Sequence, residues 1–242
     1  MAGNHLSEVT FRLEELWPLH VRRGKGNYLT IIFIHGLQIL NRTDAWRSTW
    51  IKRGTDVCWP EAWLPEDLGK EKVRVCSVSY DASQWGKRKP DSSVQDFGSK
   101  FVEDIIHRKD ILRLGEEDKI VLVGHSFGGI ILKSLFVTAF EDARTGEPCH
   151  DCKKFFNSTK GLIFYAVPHS ARTIARYVQN FNIAFQNRLA GTSGKLSAFK
   201  NKMDTLSTDF KAAITDEALH GIKIYSFGEQ LEYNKVSLLS YF

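Results

Sequence analysis

Five short apolar runs punctuate the chain. The first, residues 27–34 (NYLTIIFI), is continuous and β-branched and stops at His35-Gly36, which predicts a strand buried on both faces. Residues 72–80 (KVRVCSVSY), 119–123 (KIVLV), 160–167 (KGLIFYAV) and 221–227 (GIKIYSF) read the same way. Helical patterns lie between them. Phe97, Phe101 and Ile105 recur every four residues within 91–114, which puts one apolar face on a helix there. Residues 130–140 carry a second helical pattern directly after the third strand. Residues 171–219 are polar and helical in composition, with a break at 191–194. Strands alternating with helices predict an α/β fold, a mostly parallel sheet with helices on both faces. No linker divides the chain, so one domain is expected over 1–242.

The least regular stretch is 37–69, which holds four of the six tryptophans: Trp46, Trp50, Trp59 and Trp63. They either fill the space under a long loop or line an acyl or aromatic pocket. Loop aromatics more often simply pack.

Composition narrows the class. Hydrophobic residues make up 43% and charged residues 25% of the 242, an ordinary globular balance that excludes a disordered chain. No apolar run approaches the ~20 residues of a membrane span, and no secretory signal opens the chain. The four cysteines are too few for a disulfide scaffold. An intracellular setting is therefore expected. The net charge of +5 comes from interspersed lysines and arginines. That permits peripheral contact with anionic headgroups and gives no argument for nucleic acid. Cys149-His150-Asp151-Cys152 is a C-x-x-C without the second pair a zinc site needs. It reads as an exposed loop with free thiols. No metal and no cofactor are expected.

The motif that carries chemistry is Gly124-His125-Ser126-Phe127-Gly128, followed by Gly129. It is a G-x-S-x-G lying between a predicted strand and a predicted helix, where a nucleophile elbow must lie. The turn is so sharp that side chains two residues either side of the serine would collide with the neighbouring chain. Ser126 is left exposed at the carboxyl end of the sheet, facing the positive end of a helix. Upstream, His35-Gly36-Leu37 closes the first strand. There the N–H groups of Leu37 and Phe127 are expected to form an oxyanion hole.

These segments resemble the lipase-like α/β-hydrolases grouped around serine active site-containing protein 1. More distantly they resemble the inositol deacylases of glycosylphosphatidylinositol. The residues that carry the likeness are 33–37 (FIHGL), 58–64 (CWPEAWL), 78–81 (VSYD), 124–129 (GHSFGG) and 166–170 (AVPHS). The last matches that family's Gly-Thr-Pro-His segment, with Ala166 and Val167 in place of Gly and Thr. The resemblance runs from about residue 29 to 229. It implies a serine carboxylic ester hydrolase or acyltransferase acting on lipid or other acyl esters, in lipid metabolism at mitochondrial and endoplasmic-reticulum membranes.

A serine nucleophile also needs an acid and a base, following it in that order in this fold. Glu229, after the last strand, is where the resembling family carries its acid. Glu232 and Asp216 are weaker alternatives. The base is harder to place. The histidines are 5, 20, 35, 107, 125, 150, 169 and 220, and none follows Glu229. The fold is therefore expected to be truncated at its C-terminal end. His220 precedes its strand, His107 is mid-helix, and His35 and His125 are expected to point into packing. His169, on the loop after the fourth strand, is the best substitute. The catalytic set read from the sequence is Ser126, Glu229 and His169. The alternative is a catalytically impaired or inactive hydrolase-fold isoform that serves as a binding or regulatory module.

Overall fold

The computed structural model describes residues 10–17, 27–36, 43–81, 94–112, 114–144, 150–169, 193–215 and 221–228. They form a six-stranded sheet of β1 (Arg12–Trp17), β2 (Leu29–Ile34), β3 (Val73–Ser79), β4 (Lys119–His125), β5 (Thr159–Tyr165) and β6 (Lys223–Phe227). The spatial order is β1-β3-β2-β4-β5-β6. Every neighbouring pair is parallel except β1 with β3.

All five expected strands are present. β1 is an addition. Its residues Arg12 to Trp17 (RLEELW) do not alternate cleanly, because the register slips between Glu15 and Trp17. A buried arginine stabilises this edge. Arg74 of β3 donates Nε to Glu15 Oε1 at 2.8 Å. Its Nη1 donates to the Ile111 and Leu112 carbonyls at 3.1 and 3.0 Å, satisfying acceptors that a helix end leaves open.

The helices are α1 (Ala45–Ser48), α2 (Trp59–Ala62), α3 (Leu64–Leu68), α4 (Val94–Phe101), α5 (Lys109–Leu112), α6 (Phe127–Arg144), α7 (His150–Ser158) and α8 (Ser193–Thr215). The single helix expected over 91–114 is interrupted. α4 runs into a π-helical turn, Val102–Ile106, and α5 begins separately after His107 and Arg108. Phe97, Phe101 and Ile105 still share the buried face. The π-helical turn widens the helix by one residue per turn. That is why the four-residue spacing gave the right face and the wrong continuity.

Alternation along the central strands divides the core in two. Ile32, Ile34, Leu122, Leu162 and Phe164 pack with the apolar residues of α4, α6, α7 and α8. Ile31, Phe33, Val75 and Val123 face the tryptophan-rich segment on the other side. The tryptophans behave as packing. Trp50 is buried, meets Phe33 edge-on with centroids 4.8 Å apart, and donates Nε1 to Ser77 Oγ at 3.2 Å. Trp59 meets Phe33 at 5.5 Å. Trp63 stays half exposed under the Lys52 ammonium.

The expected exposed thiol loop is corrected. Cys152 lies on α7, fully buried, with its sulfur 3.5 Å from His107 Nε2. The periodicity of Cys152, Phe155 and Phe156 makes that segment an amphipathic helix. Its thiol is free. Cys149 lies outside the described residues.

Candidate active site

β4 delivers the serine. Ser126 has φ 54°, a left-handed conformation that costs a non-glycine residue about 1–2 kcal/mol. Its N–H donates to the Tyr165 carbonyl at 2.9 Å, and its carbonyl accepts from Gly129 N–H at 3.1 Å. The strand thus turns directly into α6 around one strained residue. The flanking glycines are steric necessities. A Cβ on Gly124 would lie 2.6 Å from Gly129 Cα, and one on Gly128 would drive into the Ile34 and His35 carbonyls. Gly36 brings β2 against the nucleophile, its Cβ direction 3.3 Å from Ser126 Oγ. Phe127 opens α6, buried, with its ring edge-on to Phe97.

β5 repeats the turn one strand over. Ala166 has φ 52° and donates its N–H to the Phe227 carbonyl at 2.8 Å. This strain has no signal in the alternation of the strand. The trace it leaves is the glycine that the resembling family carries at this position.

His169 follows. Its ring stands edge-on to Phe164, centroids 5.1 Å apart, and Nε2 hydrogen-bonds with Ser226 Oγ at 2.9 Å. Burial, and then the nearby Lys133 ammonium, pull its pKa down to about 4. It is neutral at pH 7, the form that can accept a proton. Lys133, on α6, is itself buried, 5.9 Å over the Phe210 ring, and burial lowers its pKa to about 8. Neither Lys133 nor Ser226 was signalled by a motif.

His35 and His125 sit on either side of the elbow and point into packing, as expected. His35 is fully buried and stacks on Tyr80, centroids 4.2 Å apart. His125 meets Trp50 edge-on at 6.1 Å. Burial is the main cause that lowers each to about 4. His35 Nε2 and His125 Nδ1 are enclosed without a hydrogen-bond partner among the described residues. Part of the sequence-read set lies among the described residues. Ser126, Phe127 and His169 sit at the carboxyl ends of β4 and β5. Leu37 and Glu229, with the alternatives Glu232 and Asp216, lie outside the described residues. A groove of about 460 Å³ lined by Glu116, Lys119, His150, Lys153 and Lys160 opens at the other end of β4, remote from this chemistry.

The strand, the strained serine and the helix that follows have a family counterpart. The model of the alpha/beta hydrolase family matches residues 31–206. The chain belongs to the alpha/beta hydrolase family. Within it, the chain is similar to the protein SERAC1 of Bos taurus and of Homo sapiens, 28% and 27% identical over 219 residues. Each of those alignments covers 83% of this chain and 30% of the relative, so the chain spans less than a third of the length of these curated relatives. Among solved structures it is similar to MGS-MChE2, an alpha/beta hydrolase enzyme from a sediment metagenome of the Mar Chica lagoon, Morocco. That match is 12% identical with TM-score 0.40, covering 97% of this chain and 89% of the other.

Proposed function

We propose that this alpha/beta hydrolase is a serine carboxylic ester hydrolase or acyltransferase acting on lipid or other acyl esters. The observation that carries the reading is Ser126 at φ 54° between β4 and α6. That strain, on a serine inside a G-x-S-x-G between strand and helix, supports a side chain presented for attack. Ser126 Oγ adds to the ester carbonyl. The oxyanion is held by the N–H of Phe127 and, in this proposal, that of Leu37. His169, neutral at pH 7, takes the serine proton and returns it to the leaving alcohol. To do so it exchanges its hydrogen bond with Ser226 for one with the nucleophile. Glu229 is proposed to orient the base. Water or an acyl acceptor then releases the acyl group. The resemblance of residues 58–64 and 166–170 to lipase-like hydrolases is what supports a lipid substrate. No helix among the described residues is long and apolar enough to cross a membrane.

The test is hydrolysis of p-nitrophenyl esters from acetate to palmitate by wild type, Ser126→Ala and His169→Ala. Both variants should lose about 10³-fold or more in kcat. Hydrolysis untouched by Ser126→Ala refutes the nucleophile, and hydrolysis untouched by His169→Ala refutes the base. A folded wild type inert toward every ester would favour a binding module instead.

A further inference from the structure

We infer that the groove at the amino ends of β4 and β5, at the opposite end of the sheet from Ser126, is a binding site for a soluble phosphate monoester. The site uses no part of the nucleophile elbow and stands whether or not the serine turns over. At about 460 Å³ the groove falls within the ~300–1,000 Å³ of small-ligand sites. β4 contributes Lys119, β5 contributes Lys160, and α7 contributes Lys153 and Ser158.

The acids that share the groove are mostly engaged elsewhere. Asp118 is buried and accepts from the Gly115 N–H at 2.6 Å and the Tyr28 N–H at 3.1 Å. Glu116 is paired with Lys154 at 2.9 Å. Lys119, Lys153 and Lys160 have no carboxylate partner among the described residues. Of the described lining residues, that leaves Glu117 as the one unengaged carboxylate against three ammonium groups.

Lys160 owes its place to an irregular ladder. The parallel register passes from Ile120–Thr159 to Val121–Gly161, so Lys160 is an extra residue on β5. Such bulges are rare in parallel pairs, and they re-aim a side chain where they occur. Here the Lys160 ammonium donates to the Asn157 carbonyl at 2.6 Å, in the last turn of α7. It offsets the negative end of that helix, which borders the groove and would otherwise repel an anion. Beside it, Ser158 is only 5% exposed and lines the groove, and its hydroxyl has no hydrogen-bond partner among the described residues. A buried hydroxyl without a partner is destabilising, and a phosphate oxygen would supply the acceptor. Three ammonium groups and a hydroxyl suit a dianion, and the volume leaves room for the organic group that carries it. No apolar side chain lines the groove, so nothing there enters a bilayer, which favours a soluble ester over a lipid headgroup.

The test is titration of the full chain with glycerol 3-phosphate at constant ionic strength, followed by backbone amide chemical shifts. Wild type is compared with Lys153→Gln, Lys160→Gln and Lys52→Gln. The last removes the same charge from a lysine over Trp63, in the tryptophan-rich segment. We expect saturable shifts at residues 117–119 and 153–160 with a Kd of about 1 mM or tighter. Each groove variant should weaken binding about three- to tenfold, and Lys52→Gln should leave it unchanged. Should Lys160→Gln fail to fold for want of its contact with α7, the exposed Lys153 still decides the matter. The absence of saturable shifts overturns the inference. So does equal weakening in Lys52→Gln, which would mean general charge attraction. Inorganic phosphate that binds as tightly as glycerol 3-phosphate overturns the monoester. Binding to phosphatidic acid vesicles with none to glycerol 3-phosphate overturns the soluble ligand.

Discussion

Lowering the pH from 7 toward 4.5 should destabilise this protein through the two histidines that flank the elbow, before most of its carboxylates protonate. His35 and His125 have pKa values lowered from 6.5 to about 4, chiefly by burial. The unfolded chain takes up protons at these sites near pH 6.5, and the folded one does not until about pH 4. The unfolded state therefore holds more protons in that window, and stability falls as pH falls through it. The full shift at His35 corresponds to about 3 kcal/mol. His125 keeps an exposed rim, so screening reduces its share to about 2 kcal/mol. By pH 4.5 the two should together have cost about 4 kcal/mol, a large part of the 5–15 kcal/mol typical of a domain. His169 shifts in the same direction from burial and the Lys133 charge. It is more exposed, and it adds to the trend without a figure. The assay is urea denaturation at pH 7.5, 6.5, 5.5 and 4.5 on wild type and His125→Gln. The variant should lose up to about 1.4 kcal/mol per pH unit of the slope and keep the rest. A stability flat between pH 7 and 5, or a slope identical in His125→Gln, would refute the reasoning.

Three further outcomes are expected. Gly128→Ala should destabilise the fold by more than about 3 kcal/mol and abolish turnover, because its methyl meets two β2 carbonyls. Thermal melts and ester assays check this, and a soluble, active variant would contradict it. Ala166→Gly should raise stability by about 0.5–1 kcal/mol. It relieves φ 52° at the end of β5, partly offset by the entropy glycine adds to the unfolded chain. Urea midpoints read the change, and a loss of stability would contradict it. Lys133→Met removes a buried cation whose pKa is lowered to about 8. A lowered lysine pKa means the charged form is penalised in the fold below pH 8, so the variant should gain about 1–3 kcal/mol at pH 7. It should also raise the His169 pKa, because the Lys133 charge opposes protonation there. An NMR titration of the His169 ring that shows no rise would contradict this.

The sheet was readable because its central strands are continuous β-branched runs, each stopped by glycine or a turn. The order of the elements then left few topologies. β1 escaped because a register slip breaks its alternation. α7 escaped because a C-x-x-C drew attention to thiol chemistry instead of to the spacing of Cys152, Phe155 and Phe156. Ser126 was legible because strain at an elbow demands glycines at fixed offsets, which a sequence displays. Ser226 and Lys133 were not, since each acts across strands or helices that only the fold brings together. His169 was named from its place on the loop after β5. Its contact with Ser226, 57 residues away, could not be foreseen from that place.

The central claim is that Ser126 is an activated nucleophile. The most direct measurement is the intact mass of wild type and Ser126→Ala after incubation with a fluorophosphonate, which adds covalently to a serine only when its hydroxyl is activated. The account predicts one adduct in wild type and none in Ser126→Ala. A folded wild type that takes up no adduct, or an adduct that persists in Ser126→Ala, would contradict it.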